Sequence, residues 1–122
     1  MKTKPNAAAS PDCLFCKIVD GTIPASRVYE DELSIGFPDI NPQAPTHLLI
    51  IPKQHIASTA KALAEDTALM GHLMAAAAEI ARKESLDDGY RIVVNTGDDG
   101  GQTVHHLHLH LLGGRHMKWP PG

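Results

Sequence analysis

Residues 106–110 read His106-Leu107-His108-Leu109-His110, and along an extended chain this alternation sends the imidazoles to one face and the leucines to the other. Alternate positions on a strand lie roughly 6.5–7 Å apart, close enough for three rings to gather round one phosphate and share protons through it. Three chemistries suit such a row. It could be a solvated polar face or metal-binding tract, or two of the rings could share a zinc ion with a ligand from elsewhere. Alternatively, one neutral imidazole could attack phosphorus while a neighbour protonates the leaving group. Crowding favours this last state, because protonating one ring disfavours protonating the next. The preceding stretch Gly100-Gly101-Gln102-Thr103 tips the balance towards phosphorus, since it offers backbone N–H groups that a phosphate can approach and a hydroxyl beside the leaving group.

A second constellation is Cys13-Leu14-Phe15-Cys16. Two intervening residues let both thiolates reach one zinc ion, provided two further ligands come from elsewhere. The alternatives are a thioredoxin-like redox pair, for which the surrounding pattern is wrong, and two buried cysteines acting as small hydrophobes.

Placing these groups needs a modest scaffold. At 122 residues the chain is one domain, large enough for a core and too short for two. The net charge of −3, with no block of Lys or Arg, argues against nucleic acid as partner and leaves a small phosphate ester open. No apolar run approaches the roughly 20 residues that span a bilayer, so no membrane partner is expected. Residues 1–11 read as a disordered tail without the apolar stretch of a secretory signal, and a cytoplasmic, reducing location is expected.

From residue 12 the pattern is α, β, β, β, α, β, β. A short helix spans residues 13–20, capped by Asp12 and ended by Gly21. Strands follow at 27–30 and 33–37, joined as a hairpin by Asp31-Glu32. The run His47-Leu48-Leu49-Ile50-Ile51, closed by Pro52, suits a central strand covered on both faces. A long helix over residues 66–85 has Leu69, Met70, Leu73, Ala77, Ile80 and Ala81 on one face. Strands at 90–95 and 104–112 flank the turn Asp98-Asp99-Gly100-Gly101. Short connections between neighbouring strands predict an α+β fold, a five-stranded mostly antiparallel sheet with the long helix on one face.

The stretch from Gly101 through His110, with the trailing Leu111-Leu112, resembles the signature of the histidine triad (HIT) family, in which histidines alternate with hydrophobic residues. Similarity extends to Asp39-Ile40-Asn41-Pro42-Gln43-Ala44-Pro45-Thr46-His47, Ile51-Pro52-Lys53, Gly71-His72-Leu73-Met74, Gly89-Tyr90-Arg91, Val94-Asn95 and Trp119-Pro120-Pro121-Gly122, which resemble the Hint branch, the histidine triad nucleotide-binding proteins. The resemblance covers about residues 12–122 and identifies that stretch with a HIT domain. It implies a homodimer whose two sheets join into one of ten strands, and hydrolysis of purine nucleoside 5′-phosphoramidates of the AMP-amine type through a nucleotidyl-histidine intermediate.

Carried across, the family's roles make His108 the nucleophile, with His110 and His106 orienting it and managing protons. His47 extends their hydrogen-bond chain, and Thr103 stands beside the leaving group where the branch usually has serine. Asp39 would anchor the ribose, and Asn95, Gly101 and Gln102 would hold the phosphate region. Leu14, Phe15, Phe37 and Ile40 would wall the base pocket, although Phe15 and Phe37 fit an ordinary core equally well. Catalysis needs no cofactor on this reading. A structural zinc would sit on Cys13, Cys16, His47 and His106, as in the related transferase branch, with His55 the weaker alternative to His47. His105 departs from the branch's usual tyrosine and faces away from the triad, towards a structural or dimer-interface role; Lys118 and His116 also depart, near a segment that tunes leaving-group preference. The rival functions are a dinucleoside polyphosphate hydrolase of the same family and a nucleotide- or zinc-responsive binding module with incidental hydrolysis.

Overall fold

The computed structural model describes residues 10–122; residues 1–9, most of the expected tail, lie outside the described residues. Ser10, at its end, is tied down, its carbonyl accepting a hydrogen bond from the Cys13 N–H at 3.0 Å. The elements are α1 (Leu14–Val19), β1 (Tyr29–Glu30), β2 (Ser34–Pro38), β3 (Thr46–Pro52), α2 (Thr67–Lys83), β4 (Tyr90–Val93) and β5 (Leu109–Gly113), with two short 3-10 turns between β3 and α2. The strands form one sheet in the order β1-β2-β3-β5-β4, and every neighbouring pair is antiparallel. The α+β architecture and the element order are those the sequence implies.

β3 is central and buried along nearly its whole length, as its apolar run requires. Period-two alternation divides its side chains between two cores. Leu48 and Ile50 pack under α2 with Leu73, Ala77, Ile80, Leu107, Leu109 and Leu111. Leu49 and Ile51 point to the opposite face, where Ile35 and Phe37 of β2 join Phe15, Cys16 and Ile18 of α1. Thus α2 covers one face of the sheet and α1 part of the other.

Most boundaries fall within one or two residues of expectation, and the start of α1 and the extent of the last strand differ for physical reasons. α1 is capped by Cys13 rather than Asp12, the Cys13 sulfur accepting the Cys16 N–H at 3.2 Å. At its other end, the chain reverses at Gly21 with a positive φ of 87°. The last strand is shorter than residues 104–112, because the Leu107 N–H donates to the Ile56 carbonyl at 2.7 Å and β5 pairs with β3 only from Leu109 onward. His106 therefore lies in a bend and His108 in the lead-in to β5, both ahead of the ladder. The alternation survives there, with Leu107 under α2 and His108 lining the opposite face.

Asp31 organises the β1–β2 turn. Its carboxylate accepts from the Leu33 and Ser34 N–H groups and the Ser34 hydroxyl on one oxygen, and from Tyr29 Oη and His72 Nε2, each at 2.8 Å, on the other. Since His72 lies on α2, this carboxylate ties the long helix to the edge hairpin. Burial, the largest single influence, works to raise the Asp31 pKa, but the hydrogen bonds together outweigh it and hold the group at about 2.

Candidate active site and metal cluster

The register of β3 against β5 sets Leu49 opposite His110 and His47 opposite Leu112, so His47 and His110 are diagonal neighbours on the α1 face. Their rings meet with His47 Nε2 2.9 Å from His110 Nδ1. The partners at either end decide which atom carries the proton. His47 Nδ1 accepts the Gln43 N–H at 2.9 Å, so the neutral ring carries its hydrogen on Nε2 and donates it to His110 Nδ1. His110 then presents an Nε2–H. Its pKa is lowered to about 4 by burial first and then by the neighbouring His108 and His47 rings, with Asp39 opposing.

His108 is fixed in the same way by main chain. Its Nδ1 lies 2.7 Å from the His106 carbonyl oxygen, which can only accept, so Nδ1 bears the hydrogen and Nε2 keeps a free lone pair. His106 donates from Nε2 to the Pro52 carbonyl at 2.9 Å, leaving Nδ1 as the lone pair. Burial, followed by the His55 and His108 rings and against the Pro52 bond, lowers its pKa to about 4. All three tautomers thus trace back to backbone atoms.

His108 and His110 open into a cavity of about 670 Å³, whose lining also includes Leu14, Phe15, Phe37, Asp39, Ile40, Asn95, Gly101 and Thr103. The lining combines apolar side chains with a few polar ones, a composition that suits a ligand with a charged head and a flat apolar body. Phe15 and Phe37 are buried core residues that also form the wall, so the two readings of them do not exclude one another. Ile40 sits at the rim, fully exposed. The Phe15 ring stands edge-on to His108, with centroids 5.2 Å apart. Asp39 accepts the Asn41 N–H on Oδ1, and its Oδ2 lies 3.4 Å from His47 Nε2.

Three residues of the expected site do not line this cavity. His47 stands behind His110. His106 is wholly buried and faces the cysteines. The Gln102 side chain turns inward, donating to the Ala57 and Val104 carbonyls at 2.7 and 3.0 Å and accepting the Gly97 N–H at 3.0 Å. It clamps the glycine loop from behind. At Gly100 a Cβ would come within 2.9 Å of the Thr96 nitrogen, which is why the loop needs glycine there. His105 is exposed.

Behind the Phe15 wall lies a second cluster. Cys13 Sγ is 3.3 Å from His106 Nδ1, Cys16 Sγ is 3.3 Å from His55 Nδ1 and 3.6 Å from His106 Nδ1, and the two Nδ1 atoms are 3.1 Å apart. All four donor atoms lie within 4.8 Å of one another. A tetrahedral zinc site with Zn–S about 2.3 Å and Zn–N about 2.0 Å separates its donors by roughly 3.3–3.8 Å, so this set fits the ion. The structure corrects the expected ligands in one position: His55 joins the cysteines and His106, while His47 belongs to a separate group with Asp39 and His110. Burial pushes the Cys16 thiol up and His55 down, so in this arrangement those two donors favour their neutral forms. His55, the weaker alternative on sequence, lies in the segment that leaves β3 and folds back against His106.

A chain with alternating histidines on the covered face of a small antiparallel sheet, beside a glycine loop, is a histidine triad fold. Residues 20–117 match the HIT domain model, and the chain belongs to the HIT domain family. It is similar to the 14 kDa zinc-binding protein of Zea mays, 52% identical over 111 residues that cover 89% of this chain and 87% of that relative. The crystal structure of a HIT family hydrolase from Legionella pneumophila superposes with a TM-score of 0.89 at 54% identity, covering 91% of this chain and 100% of that one. A histidine triad nucleotide-binding protein from Candida albicans gives 0.77 at 30% identity, covering 89% and 83%. The fold is that of HIT family hydrolases.

Proposed function

We propose that this protein is a purine nucleoside 5′-phosphoramidase of the Hint branch, acting through a nucleotidyl-histidine intermediate on His108. One observation carries the reading: the His106 carbonyl accepts the His108 Nδ1–H at 2.7 Å, so the lone pair left on Nε2 is that of a ring lining the cavity. In this mechanism His108 Nε2 forms a bond to the α-phosphorus as the phosphorus–nitrogen bond to the amine breaks. Backbone N–H groups of the Gly101 loop and the His110 Nε2–H stabilise the charge on the phosphoryl oxygens. An anionic phosphate favours a protonated imidazole beside it, so substrate binding draws in the proton that the departing amine carries away. Water then attacks phosphorus, the bond to His108 breaks, and the nucleoside monophosphate leaves.

On this reading Asp39 accepts from ribose hydroxyls, Asn95 and Thr103 flank the phosphate, and Leu14, Phe15, Phe37 and Ile40 enclose the base, all of them lining the one cavity. His106, His47 and Gln102 act as positioning residues behind these contacts. The similarity to a nucleotide-binding neighbour and to HIT family hydrolases supports the substrate class. The reading extends to a domain of residues 12–122, a homodimer with a ten-stranded sheet, and a cytoplasmic location; no helix among the described residues is long and apolar enough to cross a membrane. The donor set Cys13, Cys16, His55 and His106 and the similarity to a zinc-binding relative support a structural zinc. Such an ion would cross-link α1 to the rest of the fold, and the chemistry at phosphorus needs no cofactor.

The decisive test is turnover of adenosine 5′-phosphoramidate by wild type and His108→Ala, with mass spectrometry of acid-quenched wild-type protein. The expected result is a loss of roughly a thousand-fold or more in the variant and an AMP adduct on the wild type. An inactive wild type that still binds AMP would reduce the protein to a nucleotide-binding module.

A further inference from the structure

The metal cluster and the cavity share their walls. α1 has six residues, too few for a helix to hold itself, so its position depends on what its side chains grip. Cys13 and Cys16 grip His106 and His55, and between and after them Leu14, Phe15 and Ile18 line the cavity. The Phe15 ring touches both sites, with centroids 5.9 Å from His106 and 5.2 Å from His108.

A second connection runs to the glycine loop, which also lines the cavity. His55 begins a short segment whose next carbonyl, on Ile56, accepts the Leu107 N–H, and the one after, on Ala57, accepts the Gln102 amide at 2.7 Å. Gln102 in turn holds Gly97 and Val104 on either side of Gly101 and Thr103, which line the cavity. The donors for one ion therefore sit at the roots of both the apolar wall and the glycine loop. Thiol–imidazole hydrogen bonds alone are weak tethers.

We propose that zinc in the Cys13, Cys16, His55 and His106 cluster and a nucleotide in the cavity strengthen each other's binding through α1 and the residue 55–57 segment. The proposal rests on reading the cavity as a nucleotide site. An ion that fixes four donors meets the cost of ordering both walls, so the nucleotide meets walls already in place; by linkage the nucleotide tightens zinc by the same factor.

The test is calorimetric titration of the full chain with AMP, once loaded with one equivalent of zinc and once stripped by a chelator. It is paired with a competition assay of zinc affinity with and without AMP, and with hydrogen exchange of residues 14–19. The expected result is AMP binding tighter by about five-fold or more in the zinc form, the same factor on zinc affinity, and slower exchange in α1 when zinc is present. Phe15→Leu keeps all four donors and should shrink the factor. Equal AMP affinity in both forms, to within about two-fold, overturns the coupling while leaving the nucleotide reading intact. Failure to take up zinc overturns it too, as does a stripped chain that loses its far-ultraviolet circular dichroism, which would make the link global folding. Absence of AMP binding by the zinc form removes the nucleotide reading and the coupling with it.

Discussion

Replacing Gln102 with alanine separates two roles that the same residue could play. As a phosphate-contacting residue it would matter to the nucleotide and little to the fold. The geometry says otherwise. Gln102 is buried, and its amide group makes three hydrogen bonds, to the Ala57 carbonyl, the Val104 carbonyl and the Gly97 N–H. Alanine removes all three and leaves their partners to find water through a small void. At about 1 kcal/mol for each lost bond, with more for any partner left unsatisfied, the cost is roughly 3 kcal/mol. For a domain of this size each kcal/mol moves the midpoint by about 4 °C, so a fall of about 12 °C is expected. Gln102→Glu sharpens the test, because it keeps the shape and the acceptor for Gly97 but sets a carboxylate oxygen against two carbonyls. It should cost at least as much as alanine despite losing no volume. Thermal unfolding followed by circular dichroism gives the midpoints, and AMP titration well below them gives the site's response. If Gln102→Ala melts within about 2 °C of wild type while AMP affinity falls, the side chain serves the ligand directly and the clamp is wrong.

Two further outcomes follow from the titrating groups. Asp31 is held at about 2 against an ordinary 3.8, a depressed carboxylate that lends stability above its unfolded pKa and withdraws it as pH falls towards 2. The shift, discounted for partial exposure, corresponds to roughly 2 kcal/mol at pH 7. Urea unfolding of Asp31→Asn should show that deficit at pH 7 and about half of it at pH 3, whereas an equal gap at both would contradict the assignment. His110, lowered to about 4 in the free protein chiefly by burial, should rise by about 1–3 units beside a phosphate anion. AMP binding near pH 6 should then take up protons, seen as a binding heat that varies with the buffer's ionisation enthalpy, and the uptake should fade towards pH 8. A heat at pH 6 that is the same in every buffer would refute it.

Local pattern carried much of this. The alternation of His106, His108 and His110 with leucines announces a two-faced segment, and Leu107 and His108 keep to opposite faces even ahead of the β ladder. The run from His47 to Ile51 and the helix face of Leu73, Ala77 and Ile80 were legible for the same reason. What lay hidden depends on contacts between distant parts of the chain. The choice of His55 over His47 for the cysteine cluster is made by the path of the chain after Pro52. The inward turn of Gln102 is made by a carbonyl 45 positions earlier, on Ala57. The cap of α1 was missed because cysteine is an uncommon capping residue, and here its sulfur accepts a backbone N–H as well as facing a histidine.

The tautomers of the inner rings are set by the Gln43 N–H, the Pro52 carbonyl and the His106 carbonyl, none of which belongs to a side chain. Substitution around the cavity therefore has no direct means of turning the His108 lone pair inward. For evolution, or for a protein engineer, this separates two tasks: the lining can be varied to admit a different base or leaving group while the direction of attack stays fixed by the main chain.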